Sequence, residues 1–233
     1  MATFVLVHGA WHGSWCWKRV RKQLQADGHD VFTPTLTGVG ERSHLTSPQV
    51  NLDTHVADVV NVIRWEELTD VVLCGHSYGG CVVTGVADRV PERLRALIYL
   101  DAFILENGQS LFDVLPREGA PASSATEPGD GWRVPPISAE FFQVNAADRA
   151  WVDRQCTPQS LATFSQRLRV DNVFPASKTT HVLATGFKEP PFTKFHEIAK
   201  RKGWKTVTID CGHDVMLDKP AELTAILRDA ARP

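Results

Sequence analysis

The pentapeptide Gly75-His76-Ser77-Tyr78-Gly79 constrains the fold of this chain more than any other feature. It follows an apolar run over residues 71–74 and precedes a stretch over 80–87 that reads as a helix. A serine between glycines at a strand-to-helix junction is typical of a nucleophile elbow, a strained turn where neighbouring backbone leaves no room for Cβ atoms. We therefore expect Ser77 to be a nucleophile at the positive end of the following helix. The alternative is a Gly-rich turn with an incidental serine.

A second motif lies near the start of the chain. Residues 4–7 read as a buried strand that runs into His8-Gly9-Ala10-Trp11-His12-Gly13. An oxyanion needs one N–H from the residue after the nucleophile and another from the loop after an early strand, so we expect the Tyr78 and Ala10 amides. His8 and His12 have no Glu, Asp or Cys partner at ligand spacing, which favours hydrogen bonds to backbone carbonyls over a metal site.

The candidate general base lies near the C-terminus. Residues 206–210 read as a last strand, followed by Cys211-Gly212-His213-Asp214. Because elbow enzymes carry the order serine, acid, histidine, His213 is expected to take the proton from Ser77 and return it to the leaving group. Four other histidines fall within helices, the elbow or strand edges and are interpreted as structural: His55, His76, His181 and His196.

These motifs make the chain similar to a known family. Together with Gly38-Val39-Gly40-Glu41-Arg42 and Tyr99-Leu100-Asp101-Ala102-Phe103 they cover nearly the whole sequence. The chain resembles α/β-hydrolases of the branch that holds plant methylesterases, hydroxynitrile lyases and their bacterial esterase relatives. The resemblance implies a mostly parallel sheet of about six strands flanked by helices, with a cap inserted after the strand that ends near Asp101. It also implies Ser77 as nucleophile, His213 as base, and the Ala10 and Tyr78 amides as oxyanion hole.

The sequence departs from this family at the third member of the triad. Relatives place the acid just after the penultimate strand, in a Thr-Glu-Asp-like turn, but here Phe187 occupies that position. Asp101, at the end of the preceding strand, is the best substitute, and we predict that it orients His213. The alternative is that Asp101 caps the first turn of the cap region. Three further carboxylates are weaker candidates: Glu189, Asp210 and Asp214.

Composition sets the outer limits of the prediction. The chain has 233 residues, 43% of them hydrophobic, and a net charge of -2. It can bury a sizeable core as a single domain over 1–233, and its charge gives no reason to expect nucleic acid or an acidic membrane surface as partner. Five cysteines without paired spacing favour a reducing, cytoplasmic location, and neither a signal peptide nor a membrane span is expected. The oligomeric state stays open, with a homodimer as one option.

Strand-like and helix-like stretches alternate along most of the chain, which predicts a parallel sheet covered on both faces. We expect helices over 17–27, ended by Gly28, and over about 220–230. The spacing of Val56, Val59, Val60 and Ile63 predicts one buried helical face.

Residues 104–178 interrupt this alternation. Prolines and glycines punctuate their first half, no strand pattern is visible, and we interpret about 104–178 as the cap. The aromatic residues from 103 onwards either line a pocket or pack the cap onto the body: Phe103, Phe112, Trp132, Phe141, Phe142, Trp151 and Phe164. Four side chains are proposed to contact substrate: Trp11, His12, Phe103 and Trp132.

The sequence thus favours a serine hydrolase that cleaves a carboxylic ester of a small, largely apolar molecule through an acyl-enzyme, without a cofactor. One alternative is a cofactor-free lyase, C–C hydrolase or cyclase of secondary metabolism on the same fold. Another is a non-catalytic small-molecule receptor. Related hydroxynitrile lyases carry a threonine after the first motif histidine and a lysine after the catalytic histidine. Gly9 and Asp214 stand there instead, so we expect negligible cyanohydrin cleavage.

Overall fold

The computed structural model describes residues 1–115, 131–187 and 191–232. Strands in this part of the chain are β1 Thr3–Val7, β2 Asp30–Phe32, β3 Val71–His76, β4 Leu94–Leu100, β5 Arg133–Val134, β6 Gln159–Ser160, β7 Thr179–Ala184 and β8 Lys205–Ile209. Its α-helices are α1 Lys18–Ala26, α2 Leu52–Trp65, α3 Gly79–Arg89, α4 Leu111–Val114, α5 Ala146–Gln155, α6 Ala162–Ser165, α7 Phe192–Arg201, α8 Val215–Asp218 and α9 Pro220–Ala230.

Six of the strands form one parallel sheet in the order β2-β1-β3-β4-β7-β8. The sheet predicted from the sequence is confirmed. The chain leaves β1 toward one edge of the sheet and β3 toward the other, so the order reverses between these two strands. Ligand sites of open parallel sheets lie beyond the carboxyl ends of the strands at such a reversal. The loops after β1 and β3 hold the two sequence motifs at this position.

Two apolar clusters cover the faces of the sheet, because successive strand side chains point to opposite sides. Val5 and Val7 belong to one cluster, with α2 and α3, whereas Phe4 and Leu6 belong to the other, with α1 and α9. The predicted inner face of α2 is confirmed, since all four of its residues are buried. The alternation therefore produces a three-layer arrangement that holds the strand ends rigidly.

The predicted helix boundaries hold closely. Helix α9 spans the expected residues, and α1 is preceded by a 3-10 turn over Ser14–Trp17. Gly28, just beyond α1, has a φ of 81°, in the left-handed region that glycine adopts without strain. Asn51 caps α2 through a reciprocal pair of hydrogen bonds with Thr54.

The expectation that 104–178 contains no strand is wrong. β5 and β6 pair in antiparallel fashion, with Arg133 opposite Ser160 and Val134 opposite Gln159. Each strand has only two residues, and the partner lies far along the chain, so neither leaves an alternating pattern. Pro116, Pro121, Pro128, Gly119 and Gly129 lie outside the described residues. None of the described helices combines the length and apolar character needed to cross a bilayer.

Candidate active site

Ser77 lies between the end of β3 and the start of α3, at the carboxyl edge of the sheet. Its φ is 53°, a left-handed conformation that a non-glycine residue adopts only when its surroundings impose it. The Ser77 amide donates to the Leu100 carbonyl at 3.2 Å, and the Ser77 carbonyl accepts from the Phe103 amide at 3.1 Å. Contacts from β4 and the chain beyond it therefore hold the strained turn.

The glycines of the pentapeptide are required by crowding. A Cβ on Gly75 would lie 2.5 Å from the Gly79 carbonyl oxygen. A Cβ on Gly79 would lie 2.7 Å from the His8 carbonyl oxygen and 2.8 Å from that of Val7. The close approach of backbone to backbone predicted from the motif is confirmed.

Asp101 and His213 are hydrogen-bonded in the structure. His213 Nδ1 lies 2.6 Å from Asp101 Oδ2, and the Ala184 amide donates to Asp101 Oδ1 at 3.1 Å. Asp101 has a φ of 41°, and its own amide donates to the Val182 carbonyl at 2.7 Å. Burial raises the pKa of Asp101, while the hydrogen bond from His213 acts in the opposite direction.

Three phenylalanine rings surround His213. Its ring centroid lies 5.2 Å from that of Phe142, 5.0 Å from Phe187 and 4.8 Å from Phe192. Phe187, which stands where relatives carry the acid, thus contacts the histidine through its ring. Among the described residues, His213 Nε2 has no hydrogen-bond partner. The rings exclude water from the imidazole and leave this nitrogen available for proton transfer.

The two amides expected to bind an oxyanion flank the same place. Neither the Ala10 nor the Tyr78 amide donates to an acceptor within the described ranges. The neighbouring Trp11 amide does donate, to Gln159 Oε1 at 2.9 Å, and Trp11 has a φ of 64°. The Tyr78 hydroxyl lies 2.9 Å from His55 Nδ1. Both loops are therefore fixed by neighbours while the two amides stay free.

The histidines of the first motif hydrogen-bond backbone carbonyls, as predicted. His8 Nδ1 donates to the Gly9 carbonyl at 2.8 Å and accepts the Leu36 amide at Nε2, 3.0 Å away. This pattern belongs to a neutral ring, and burial lowers the pKa of His8 to about 3. His12 Nδ1 donates to the Ala10 carbonyl at 2.7 Å, and His12 Nε2 lies 3.1 Å from Asp214 Oδ2.

A crevice of about 10 Å³ adjoins the serine. It is lined by Gly9, Ala10, Trp11, His12, His76, Ser77, Phe142 and His213. Of the four side chains predicted to contact substrate, Trp11 and His12 lie here. Phe103 packs on Phe192 and Phe195 with ring centroids 5.0 and 5.9 Å apart. Trp132 lies beside the Arg133 guanidinium, 4.7 Å from it, and its contact with substrate stays a prediction.

The other candidate carboxylates have different surroundings. Asp210 accepts a 3.4 Å hydrogen bond from Thr185 and is exposed, and Glu189 lies outside the described residues. Asp214 contacts His12 instead of His213 Nδ1. The sequence analysis missed Gln159, which lies 148 positions from the residue it binds, and the Phe192 ring against His213. No local pattern signals either contact.

Comparison with known proteins assigns the chain to one family. The model of the alpha/beta hydrolase family matches residues 4–226. A carbendazim hydrolyzing esterase from Nocardioides sp. is 48% identical, with 96% of this chain and 97% of that protein covered. A putative chloroplastic methylesterase 13 from Arabidopsis thaliana is 27% identical, and the match covers 77% of this chain but only 41% of that protein.

The fold is shared with solved structures. An extracellular alpha/beta-hydrolase from a Paenibacillus species superimposes with a TM-score of 0.83 at 22% identity, with full coverage of both chains. A pyrethroid hydrolase from Sphingobium faniae gives a TM-score of 0.78 at 22% identity, with 99% of this chain and 97% of that chain covered. At these identities the likeness establishes the fold and nothing finer.

Proposed function

This chain belongs to the alpha/beta hydrolase family, and we propose that it cleaves its substrate with Ser77 as nucleophile, His213 as general base and Asp101 as the acid that orients His213. The chain is a carboxylic ester hydrolase, in keeping with the esterase to which it is 48% identical. The observation that supports the residue roles is the 2.6 Å hydrogen bond between Asp101 and His213, whose ring lines one crevice with Ser77.

The proposed reaction has two steps. Ser77 Oγ attacks the carbonyl carbon while His213 Nε2 takes its proton, and the negative oxygen receives hydrogen bonds from the Ala10 and Tyr78 amides. His213 then protonates the leaving alcohol, and an ester bond to Ser77 remains. Water, deprotonated by His213, attacks this acyl-enzyme and releases the acid. Asp101 holds Nδ1 protonated throughout and stabilises the imidazolium that forms in each step.

The surroundings of His213 favour a small, largely apolar substrate. Phe142, Phe187 and Phe192 present aromatic surface beside the base, and Trp11 lines the crevice. Such surface binds apolar or aryl groups through burial and ring contacts. We propose Phe103 and Trp132 as further contacts, residues 104–178 as the cap, and no requirement for a cofactor.

Turnover of esters tests the proposal. Purified protein is assayed with p-nitrophenyl esters of short, medium and aryl acids and with carbendazim, the compound in the name of its relative. We expect turnover of at least one ester and stoichiometric labelling by a serine-directed phosphonate. A protein that binds these esters but neither turns over nor labels would be a receptor, and the proposal would fail.

Replacement of the nucleophile gives the sharpest version of this assay. Ser77→Ala should lower kcat by about six decades, the loss seen when a serine enzyme is deprived of its nucleophile. Ser177→Ala is the matched control, because this exposed serine precedes β7 at the opposite edge of the sheet. Full labelling of the Ser77→Ala variant would mean that the nucleophile lies elsewhere.

We also infer a cytoplasmic location. Cys74 and Cys81 lie in the apolar clusters on either side of the elbow as small core side chains, and all five cysteines are free thiols. Free thiols in this number suit a compartment that keeps cysteine reduced. Fractionation of the producing cell, with the activity assayed in each fraction, tests this location.

A further inference from the structure

His12 uses both of its ring nitrogens. Nδ1 lies 2.7 Å from the Ala10 carbonyl oxygen, and Nε2 lies 3.1 Å from Asp214 Oδ2. A carbonyl oxygen accepts only, and a carboxylate that bonds a ring nitrogen in this way also accepts. Both ring nitrogens must therefore carry a proton, which makes His12 an imidazolium.

The surroundings of His12 stabilise that charge although the side chain is buried. Burial by itself lowers the pKa of His12, but interactions with the Cys156 sulfur and the Asp214 carboxylate raise it well above the usual value. The Trp15 ring stacks on the imidazole with centroids 5.0 Å apart and an interplanar angle of 20°, a geometry that favours a cation. The Cys156 Sγ lies 3.9 Å from Nδ1, and the His76 ring lies 6.3 Å away.

The pair joins the two loops that bear the proposed machinery. Asp214 directly follows the base His213, and the Ala10 carbonyl belongs to the residue whose amide is the proposed oxyanion donor. The Ala10–Trp11 peptide unit is held on both sides, because its carbonyl accepts from His12 and its amide donates to Gln159. Trp11 has a left-handed φ of 64°, so this backbone would relax without both restraints.

We propose that the buried His12–Asp214 ion pair positions the Ala10 amide in the oxyanion hole and ties it to the loop of His213. This inference rests on the proposed function. It makes His12 and Asp214 positioning residues, and it differs from the prediction that His12 contacts substrate. A substrate contact would change KM, whereas a misplaced oxyanion donor reduces kcat, because the donor acts mainly in the transition state.

The test uses His12→Gln, Asp214→Asn and the double variant, assayed on the best ester of the wild-type enzyme. Loss of one oxyanion-hole donor reduces kcat by about 10²–10³-fold, so we expect each single variant to lose about 10- to 10³-fold in kcat with KM changed less than about threefold. The double variant should lose no more than the worse single variant, because the two residues act as a unit. His44→Gln, at an exposed histidine, is the control and should keep wild-type kcat.

Two further readouts keep the proposal falsifiable if Asp214→Asn fails to fold. Ring ¹⁵N NMR of the wild-type protein at about pH 7.5 should show His12 protonated on both nitrogens, and the signal should be absent from His12→Gln. A neutral His12, an unchanged kcat in folded His12→Gln, or a loss confined to KM would each overturn the proposal while wild-type turnover still upheld the proposed function. Absence of turnover in the wild type would overturn both.

Discussion

Two buried histidine–aspartate pairs lie side by side in this enzyme, and they differ in how many ring nitrogens are occupied. His213 bonds Asp101 through Nδ1 at 2.6 Å and has no partner for Nε2 among the described residues. His12 bonds Asp214 through Nε2 at 3.1 Å and a carbonyl through Nδ1. A base needs a vacant nitrogen for the proton it takes, so only the first pair can serve the nucleophile. The second has the geometry of a permanent charge.

The rings packed against the two histidines fit this division. His213 is enclosed by the rings of Phe142, Phe187 and Phe192. His12 stacks on Trp15, whose electron-rich face attracts a cation. The same two residue types therefore do different work, and the local hydrogen bonds and ring contacts determine which.

Of the two pairs, the first should have the larger effect on kcat when it is broken. Asp101→Asn should reduce kcat by about four decades, because the amide stabilises the wrong tautomer of His213 and cannot balance the imidazolium. KM should change little, since Asp101 is fully buried beneath the base and does not reach the crevice. Steady-state kinetics on the best ester measures both values.

Asp210→Asn is the matched control for this variant, because Asp210 lies on the same rim but is exposed and, among the described residues, hydrogen-bonds only Thr185. It should keep wild-type kcat. Near wild-type kcat in Asp101→Asn would show that His213 works without this carboxylate, as a dyad or with another acid.

The sequence predicted the first pair more fully than the second. Ser77, His213 and Asp101 each follow a strand, and parallel strands bring their carboxyl ends to one rim, so their approach could be anticipated. The same reasoning predicts the Ala10 and Tyr78 amides as oxyanion donors. Chain order and strand ends carry this information because they depend on the backbone.

The second pair could not be anticipated, because it depends on side-chain directions within irregular loops. Asp214 neighbours His213 in sequence but turns toward His12, 202 positions away. Gln159 reaches the Trp11 amide from a two-residue strand that has no periodic signal. The Gln159 contact depends on how residues 131–178 pack against the loop after β1, which no short motif encodes.

The next effect, of moderate size, concerns histidines that stay neutral in the fold, in contrast to His12. Burial lowers the pKa of His8 and His181 to about 3 and that of His55 to about 4. Below about pH 6.5 the unfolded chain protonates these rings and the folded chain does not. The free energy of unfolding should therefore decrease as the pH is lowered, by at most about 1.4 kcal/mol per pH unit for each histidine.

His12 should act in the opposite direction. Its pKa is raised in the fold, so its contribution is complete below about pH 6.5 and is lost as the pH rises through its folded pKa. Urea unfolding between about pH 7 and pH 5 measures the contribution of the histidines that stay neutral in the fold. In His55→Gln the free energy of unfolding should decrease less from about pH 7 to about pH 5 than in the wild type. Exposed His44→Gln should keep the wild-type dependence. A free energy of unfolding that stays constant over this range would contradict the neutral assignment.

The smallest expected effect is an absence of cyanohydrin cleavage, which tests whether the negative charge of Asp214 beside His213 prevents that reaction. Resembling lyases use a lysine after the catalytic histidine to bring positive charge near the leaving cyanide. Asp214 stands there, and its negative charge balances the positive charge of His12, so no net positive charge faces the leaving group. The threonine of those lyases is also excluded, because a Cβ on Gly9 would lie 2.9 Å from His76 Nδ1 and 3.0 Å from Ser77 Cβ.

With mandelonitrile as substrate, cyanide release by the wild-type enzyme should equal that of Ser77→Ala, while the same preparation turns over its ester. Release well above the Ser77→Ala level would show that Asp214 does not prevent the reaction. The assignment of separate roles to the two pairs would then be wrong.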